Sequence, residues 1–496
     1  MKITQLSYIF FPFLVYSEPN ILWFQDYSGT GEESHGHYIH SCDDGGFIQV
    51  GETYDYSNNS SKVFIVKTDG SGVLNWSREI GNGDHNLGNS VLELSDGFLI
   101  AGGLNQNSSL IKLDKESGST IFIQTNDNGG VDAYEQAAKI PGGIVAVGYV
   151  HSEDPWNTFF TWGQGNLVFF DDNGNIQSSQ VLNEYMAQGY RVQYANESIF
   201  ISGLSEDASD FILVKMDLEG NVIWDQSYGG NSDDHCFGMD VNDNGEIFLV
   251  GHTLSGTENW DTYTIKIDFD GEILWERVVG NPRGFNPEYI HDEAWGVRAT
   301  DDGGCVTIAG TGDEYDEYSE CSGDECSDRW RAYLIKFNEE GHVEWESIFS
   351  PLQISEDDYD WAGEDIDLTD DGGAIIAVDN GQFGFLRIIN VQNALDIHNE
   401  KLVTENFRLF SNFPNPFNSS TNINYQLLDQ NHIRLNIFDT NGQAVIELVN
   451  EFQEAGIHSI PWKGTNDKGL NLPSGIYYYQ IQVGDHLESN KMVLIK

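Results

Sequence analysis

The feature that most constrains this chain is a unit of about 50 residues that recurs seven times between residues 21 and 392. Its clearest copy is residues 211–251, FILVKMDLEGNVIWDQSYGGNSDDHCFGMDVNDNGEIFLVG, which holds four short runs of strand character separated by turns such as Glu219-Gly220 and Asn242-Asp243-Asn244-Gly245. Four antiparallel strands with tight turns form one sheet. Such a sheet has two apolar faces and hides them only by stacking on copies of itself, which leaves a propeller or a solenoid.

Three columns align the copies. An apolar run ending in a small residue recurs at 45–51, 97–102, 142–148, 197–203, 245–251, 303–310 and 372–378. A second column reads Trp23, Trp76, Phe122, Ser178, Trp224, Trp275 and Trp345, aromatic except at Ser178 and suited to packing between sheets. A third reads Lys67, Lys112, Phe169, Lys215, Lys266, Lys336 and Arg387. Two residues on stand Asp69, Asp114, Asp171, Asp217, Asp268 and Asn338, which open a turn by accepting from its backbone. The basic residues read as solvated or paired with acids. Residues 21–25 form an isolated second-column strand and 383–390 an isolated first-column strand, so each end supplies what the other lacks. Ring closure removes the exposed edges, and a seven-bladed β-propeller is expected.

Residues 1–17 carry one Lys, an apolar run and small or apolar residues near the end, the pattern of a secretory signal peptide cut near Ser17. The run is too short to span a bilayer, and no later stretch is long enough, so no transmembrane segment is expected in the mature chain. From about residue 391 the repeat stops. Residues 407–496 read as seven short alternating strands with turns at Asn441-Gly442 and Gly484-Asp485, a small immunoglobulin-like β-sandwich in an all-β protein. The domains therefore read as signal peptide 1–17, propeller 18–395, linker 396–406 and sandwich 407–496.

The formal net charge is −55, and residues 405–496 contribute only −3 of it. So acidic a propeller is a poor partner for nucleic acid or an anionic membrane, and suits cations, cationic ligands or saline water. Within each unit the Asp-Gly turns fall on one face. The long connections, 149–164, 252–261, 280–294, 311–331 and 350–361, fall on the other. Binding sites concentrate on long loops raised from a rigid scaffold, so a site is expected on that second face.

Equivalent loops there carry His35, His37, Asp84, His85, Asp132, Glu135, Glu184, Asp233, Asp234, His235, His291, Asp292, Glu293, Asp357, Asp358 and Asp360. If the following strand lines the channel, as Gly88, Ala137, Gly238, Gly296 and Gly363 allow, these groups ring its mouth. They then either form a solvated rim with loop-capping Asp residues, or converge on a cation, Ca2+ with oxygen ligands or zinc with imidazoles. Asp-Gly turns such as Asp268-Phe269-Asp270-Gly271 lack the ligand set of a calcium loop and read as ordinary turns. Of the five cysteines, Cys321 and Cys326 share one acidic insertion and form the candidate disulfide, and Cys305 reads as buried core.

The tail carries Pro414-Asn415-Pro416-Phe417-Asn418, IFDTNGQAV, Ala455-Gly456, Ser474-Gly475-Ile476-Tyr477 and the closing Lys491-Met492-Val493-Leu494-Ile495-Lys496. On these residues it resembles the type A C-terminal sorting domain of the type IX secretion system. That resemblance implies passage through a bacterial outer membrane, recognition by the secretion machinery, and removal of the domain or its replacement by a surface anchor. The DGG, VKxDxxGxxxW and GGxxDD pieces of the repeat resemble those of extracellular bacterial propellers and, more loosely, quinoprotein repeats. Three readings stand: an exported or surface-held propeller binding a glycan or protein, an exported polysaccharide hydrolase or lyase, and a quinone enzyme. No catalytic residues are singled out.

Overall fold

Every repeat places an apolar run at its second strand, and those runs become the buried spine of a sheet. In Ile247–Thr253, for example, all residues are buried, while the outer strand Ile273–Val279 alternates towards solvent. Burying each such Val, Ile or Leu is worth roughly 1.5–3 kcal/mol. The computed structural model describes residues 19–83, 85–152, 163–242, 244–283, 290–312, 329–355 and 358–392, then 407–409, 417–418 and, with short gaps, 420–494. The signal-peptide stretch, Asp84, Asp357, the Cys321–Cys326 pair, Pro414, Asn415, Pro416 and Lys496 lie outside the described residues. The chain divides into two units, Met1–Asp396 and Ile397–Lys496.

The first unit is a seven-bladed β-propeller of four-stranded antiparallel sheets. In blades 1 to 6 the innermost strands are Glu33–Ser41, Asn86–Leu94, Val131–Ile140, Met186–Ala195, Asp234–Val241 and His291–Ala299, and the three following strands lie outward in order. Blade 7 starts at Ala362–Leu368 and continues through Ala374–Asp379 and Phe383–Ile389. Its fourth strand is Asn20–Tyr27, from the other end of the chain. That strand pairs from Asn20 opposite Ile389 to Tyr27 opposite Phe383, so the two ends close the ring in one sheet. The described residues contain no α-helix, only a 3-10 turn at Pro351–Gln353.

The aromatic column packs between blades, as its spacing implies. Trp76, Trp275 and Trp345 are buried, with Trp76 against Phe98 of blade 2 and Trp275 against Phe337 of blade 6. The basic column is less wet than its charge suggests. Lys67, Lys266 and Lys336 are at most 1% exposed, and each is held by an acid in a neighbouring Asp-Gly turn or strand: Asp44, Glu246 and Asp302 at 2.9, 2.9 and 2.7 Å. Asp69 accepts from the backbone N–H groups of Ser71 and Val73, opening its turn.

The second unit is a β-sandwich. One sheet orders Phe407–Leu409, Thr421–Leu427 and Gly456–Trp462; the other orders Ala444–Gln453, Asn431–Phe438, Gly475–Val483 and His486–Leu494. Its core gathers Phe417, Tyr425, Trp462, Tyr479, Ile481 and Leu494. Of the tail landmarks, Phe417 is buried and bridges Leu494, Tyr477 is buried with its hydroxyl donating to the Pro473 carbonyl, and Asn418, Gly475 and Lys491 are exposed.

Candidate functional site

All seven innermost strands carry a β-bulge near their middle, and the bulges align around the axis. The bulged residues are His37, Asn89, Glu135, Tyr190, Phe237, Trp295 and Glu364. A bulge re-aims one side chain out of the alternating pleat, and all seven of these line a single cavity of about 70 Å³ in the central channel. Closely approaching backbone makes the bulges possible. A Cβ on Gly51, Gly148, Gly203 or Gly251, the ends of the apolar runs, would fall within 2.0 Å of the carbonyl oxygen just before the bulge on the adjacent inner strand. The glycine column of the repeat is therefore the mark of the bulge beside it.

The ring has two chemical halves. Tyr190, Phe237 and Trp295 form a continuous aromatic row, with centroids 4.8 and 4.4 Å apart. Opposite stand His37, Asn89, Glu135 and Glu364, joined by Glu52 and Arg191. Burial pushes Glu135 up to about 7 against the pull of Arg191 and the Gln188 hydrogen bond. Burial also lowers His37 to about 4, so its imidazole is neutral at pH 7. Glu364 lies well above the usual carboxylate range, through burial and the charges of Asp379 and Glu293.

Towards the long-loop face a second pocket of about 420 Å³ lies over blades 6, 7 and 1. Trp295 and Glu364 line both spaces. The pocket's other walls include Trp330, whose ring packs against Gly310 and Gly312 where a Cβ would stand, and the polar groups of Glu33, His35, Glu293, Asp360 and Asp379. His35 Nδ1 is 2.7 Å from Asp379 Oδ2. Burial alone would lower its pKa, but that bond and the charges of Asp379, Glu52 and Glu33 raise it to about 9. Glu293 is held below its ordinary value: burial opposes this, but the His291 hydrogen bond and neighbouring imidazoles outweigh it.

The loop residues singled out by sequence are not one group. Asp132, Asp234 and Asp292 are buried and turn inward to staple loops. Asp132 accepts from the N–H groups of Asn128 and His151, Asp234 from Gly230 N–H at 2.6 Å and Ser255 Oγ at 3.0 Å, and Asp292 from Asn281 N–H. Asp233 is exposed, and His85, His235 and His291 are buried. His235 packs on Trp260 with centroids 4.8 Å apart. His37 and Glu135 enter the channel ring, and His35, Glu293 and Asp360 reach the mouth pocket. Among the described residues, no three His, Cys, Asp or Glu side chains are placed to hold a metal ion. Asp234 and Asp292 each turn Oδ2 to the loop donors and bury Oδ1.

Sequence reasoning missed Tyr190, Arg191, Phe237, Trp295 and Glu364. A signal for the ring was present: in six units the re-aimed residue adjoins a glycine, at Gly36, Gly88, Gly189, Gly238, Gly296 and Gly363. Cys42, Cys236 and Cys305 are buried free thiols.

Fold and site define a seven-bladed β-propeller followed by an immunoglobulin-like domain. Residues 417–486 match the family model of the FlgD Ig-like domain. No curated protein matches the chain. Among solved structures it is similar to virginiamycin B lyase of Staphylococcus aureus with quinupristin, at 13% identity over 75% of this chain and 99% of that chain, TM-score 0.47. The Neurospora crassa Pan2 WD40 domain matches at 11% identity over 73% and 97%, TM-score 0.41. PorZ, a surface component of the type IX secretion system of Porphyromonas gingivalis, matches at 10% identity over 93% and 82%, TM-score 0.22.

Proposed function

We propose that this chain is an exported bacterial binding propeller, secreted or held at the cell surface, that takes a glycan or protein ligand on its long-loop face. The observation that carries this reading is the 420 Å³ mouth pocket, where Trp295 and Trp330 are bordered by Glu293, Glu364 and Asp379. Concave sites of this size, with aromatic walls and a few placed polar groups, are the usual form of a ligand site. Tryptophan faces stack on sugar rings or apolar side chains while the carboxylates take hydroxyl or amine donors. The test is retention of the full chain on a panel of soluble and insoluble polysaccharides. Trp330→Ala should weaken binding about tenfold, or ~1.4 kcal/mol. Retention unaffected by Trp330→Ala counts against the pocket.

Export rests on the leader-like residues 1–17 and on the tail landmarks from Pro414 to Lys496, with the type IX machinery as the partner that reads residues 407–496. A reporter fused to those residues should reach the medium or surface of a type IX-competent bacterium and stay in the periplasm of a strain lacking the system.

One observation favours polymer cleavage as a second reading. Glu364, raised well above its ordinary value by burial, lines the same pocket as Glu293, which is held below its own, and carboxyls pushed apart in this way can divide acid and base roles. Release of new reducing ends that stops in Glu364→Gln would establish it.

A further inference from the structure

Arg191 is the odd cation of the propeller. Every other described Lys and Arg in residues 19–392 makes a hydrogen bond or an ion pair. Arg191 is 9% exposed and has no such partner among the described residues. Its guanidinium sits 5.5 Å from the Tyr38 ring centroid and faces the channel cavity. Its charge pulls on the carboxyls of Glu135 and Asp365, but neither forms a direct ion pair with it among the described residues. Burying a charge unpaired is costly, and an anion delivered from outside would relieve that cost.

We propose that the channel cavity receives the carboxylate of an acidic ligand, with the guanidinium fork of Arg191 as its anchor and the rest of the ligand in the mouth pocket. This deepens the binding reading above and rests on it for the outer part of the ligand. Size sets the division. A cavity of about 150 Å³ holds benzene, so the channel space of about 70 Å³ admits a carboxylate and not a sugar ring, whereas the adjoining 420 Å³ admits the ring. Trp295 borders both spaces, so a ring stacked on it directs a substituent inward. The guanidinium plane matches two carboxylate oxygens bidentately, and the aromatic row of Tyr190, Phe237 and Trp295 lowers the local dielectric, which strengthens the pair. Burial pushes Glu135 up to about 7 and holds Glu364 and Glu52 above their ordinary values, so these carboxyls oppose a monoanion less than fully ionised groups would, and a dianion such as phosphate more. The fitting class is a uronic acid, free or at the end of an acidic glycan.

The experiment is isothermal titration calorimetry of the full chain with D-glucuronate and with D-glucuronamide, which keeps the ring and removes the charge. Glucuronate should bind at least tenfold tighter than the amide, and Arg191→Gln should remove that preference while Arg191→Lys restores part of it. Equal affinity for acid and amide would overturn the proposal, as would glucuronate binding unchanged in Arg191→Gln. Should Arg191→Gln fail to fold, the acid-to-amide ratio on the unaltered chain decides alone. Binding of neutral oligosaccharides that depends on Trp330, without any for glucuronate, overturns the channel proposal and leaves the mouth reading standing. A glucuronate preference lost in Arg191→Gln but indifferent to Trp330→Ala does the reverse.

Discussion

His35 in blade 1 lies with its Nδ1 2.7 Å from Asp379 in blade 7, and one turn-length down the same inner strand His40 repeats the arrangement with Asp367 at 2.9 Å. Two imidazoles thus span the junction where the ring closes. Both are raised to about 9. For each, burial pulls the pKa down and is outweighed by carboxylates, chiefly Asp379 for His35, and Asp367 with Glu93 for His40.

The pH dependence follows from the sign of that shift. A group whose folded pKa exceeds its unfolded value stabilises fully below the unfolded value, near 6.5, and loses that contribution as pH rises through the folded one. The melting temperature of the full chain should fall between pH 7 and 10. The double variant His35→Gln, His40→Gln should start lower and flatten over that window. A melting temperature that the double variant loses equally at every pH would show that the imidazolium charges are not its cause.

Closure by the first strand can be tested at Phe24, which packs on Trp361 with ring centroids 4.4 Å apart. Phe24→Ala should cost about 2 kcal/mol, below the usual range for a fully buried Phe because Phe24 is only half-buried. Removing residues 1–27 should do more, since it leaves Phe383–Ile389 as an open edge and a template for aggregation. Denaturant melts and sedimentation report both effects.

Coupling between the glycine column and the bulges predicts a steep cost at Gly251, where a Cβ would stand 1.7 Å from the His235 carbonyl oxygen. Gly251→Ala must shift one strand or the other, for about 3 kcal/mol. Gly45→Ala meets nothing within 4 Å, and its cost comes only from its φ of +77°. Denaturant midpoints should rank Gly251→Ala well below Gly45→Ala.

Asp234 distinguishes a loop staple from a cation ligand. Asp234→Ala leaves the Gly230 N–H and Ser255 hydroxyl without their acceptor and should cost roughly 2–3 kcal/mol. If stapling is its work, added calcium or chelator shifts the melting temperature of the native and variant chains equally. A calcium-dependent rise confined to the native chain would reinstate the metal reading of the rim.

The architecture was legible because it is periodic. Turn residues, an alternating apolar run and one aromatic per unit recur at fixed intervals, and Trp23 at the start with Phe383–Ile389 at the end already implied closure. Each of these signals is local, acting through turn chemistry or through the face a side chain takes in a pleat. The candidate site was less legible. His35, His37 and Glu293 were singled out for charge at an equivalent loop position, yet Asp234 and Asp292, alike in sequence, turn inward to hold backbone.

What the sequence by itself determined is the unit, its number and the face that carries the long connections. What only the tertiary structure decided is which side chain of each inner strand points down the axis, because a bulge shifts the alternation by one residue and no local pattern states where it falls. Arg191, Trp295 and Glu364 come from blades 4, 6 and 7, far apart along the chain, and become neighbours only when the ring closes. That Arg191 acts on Glu135 and Asp365 without a direct ion pair is likewise a property of that closed ring, which fixes how near they come.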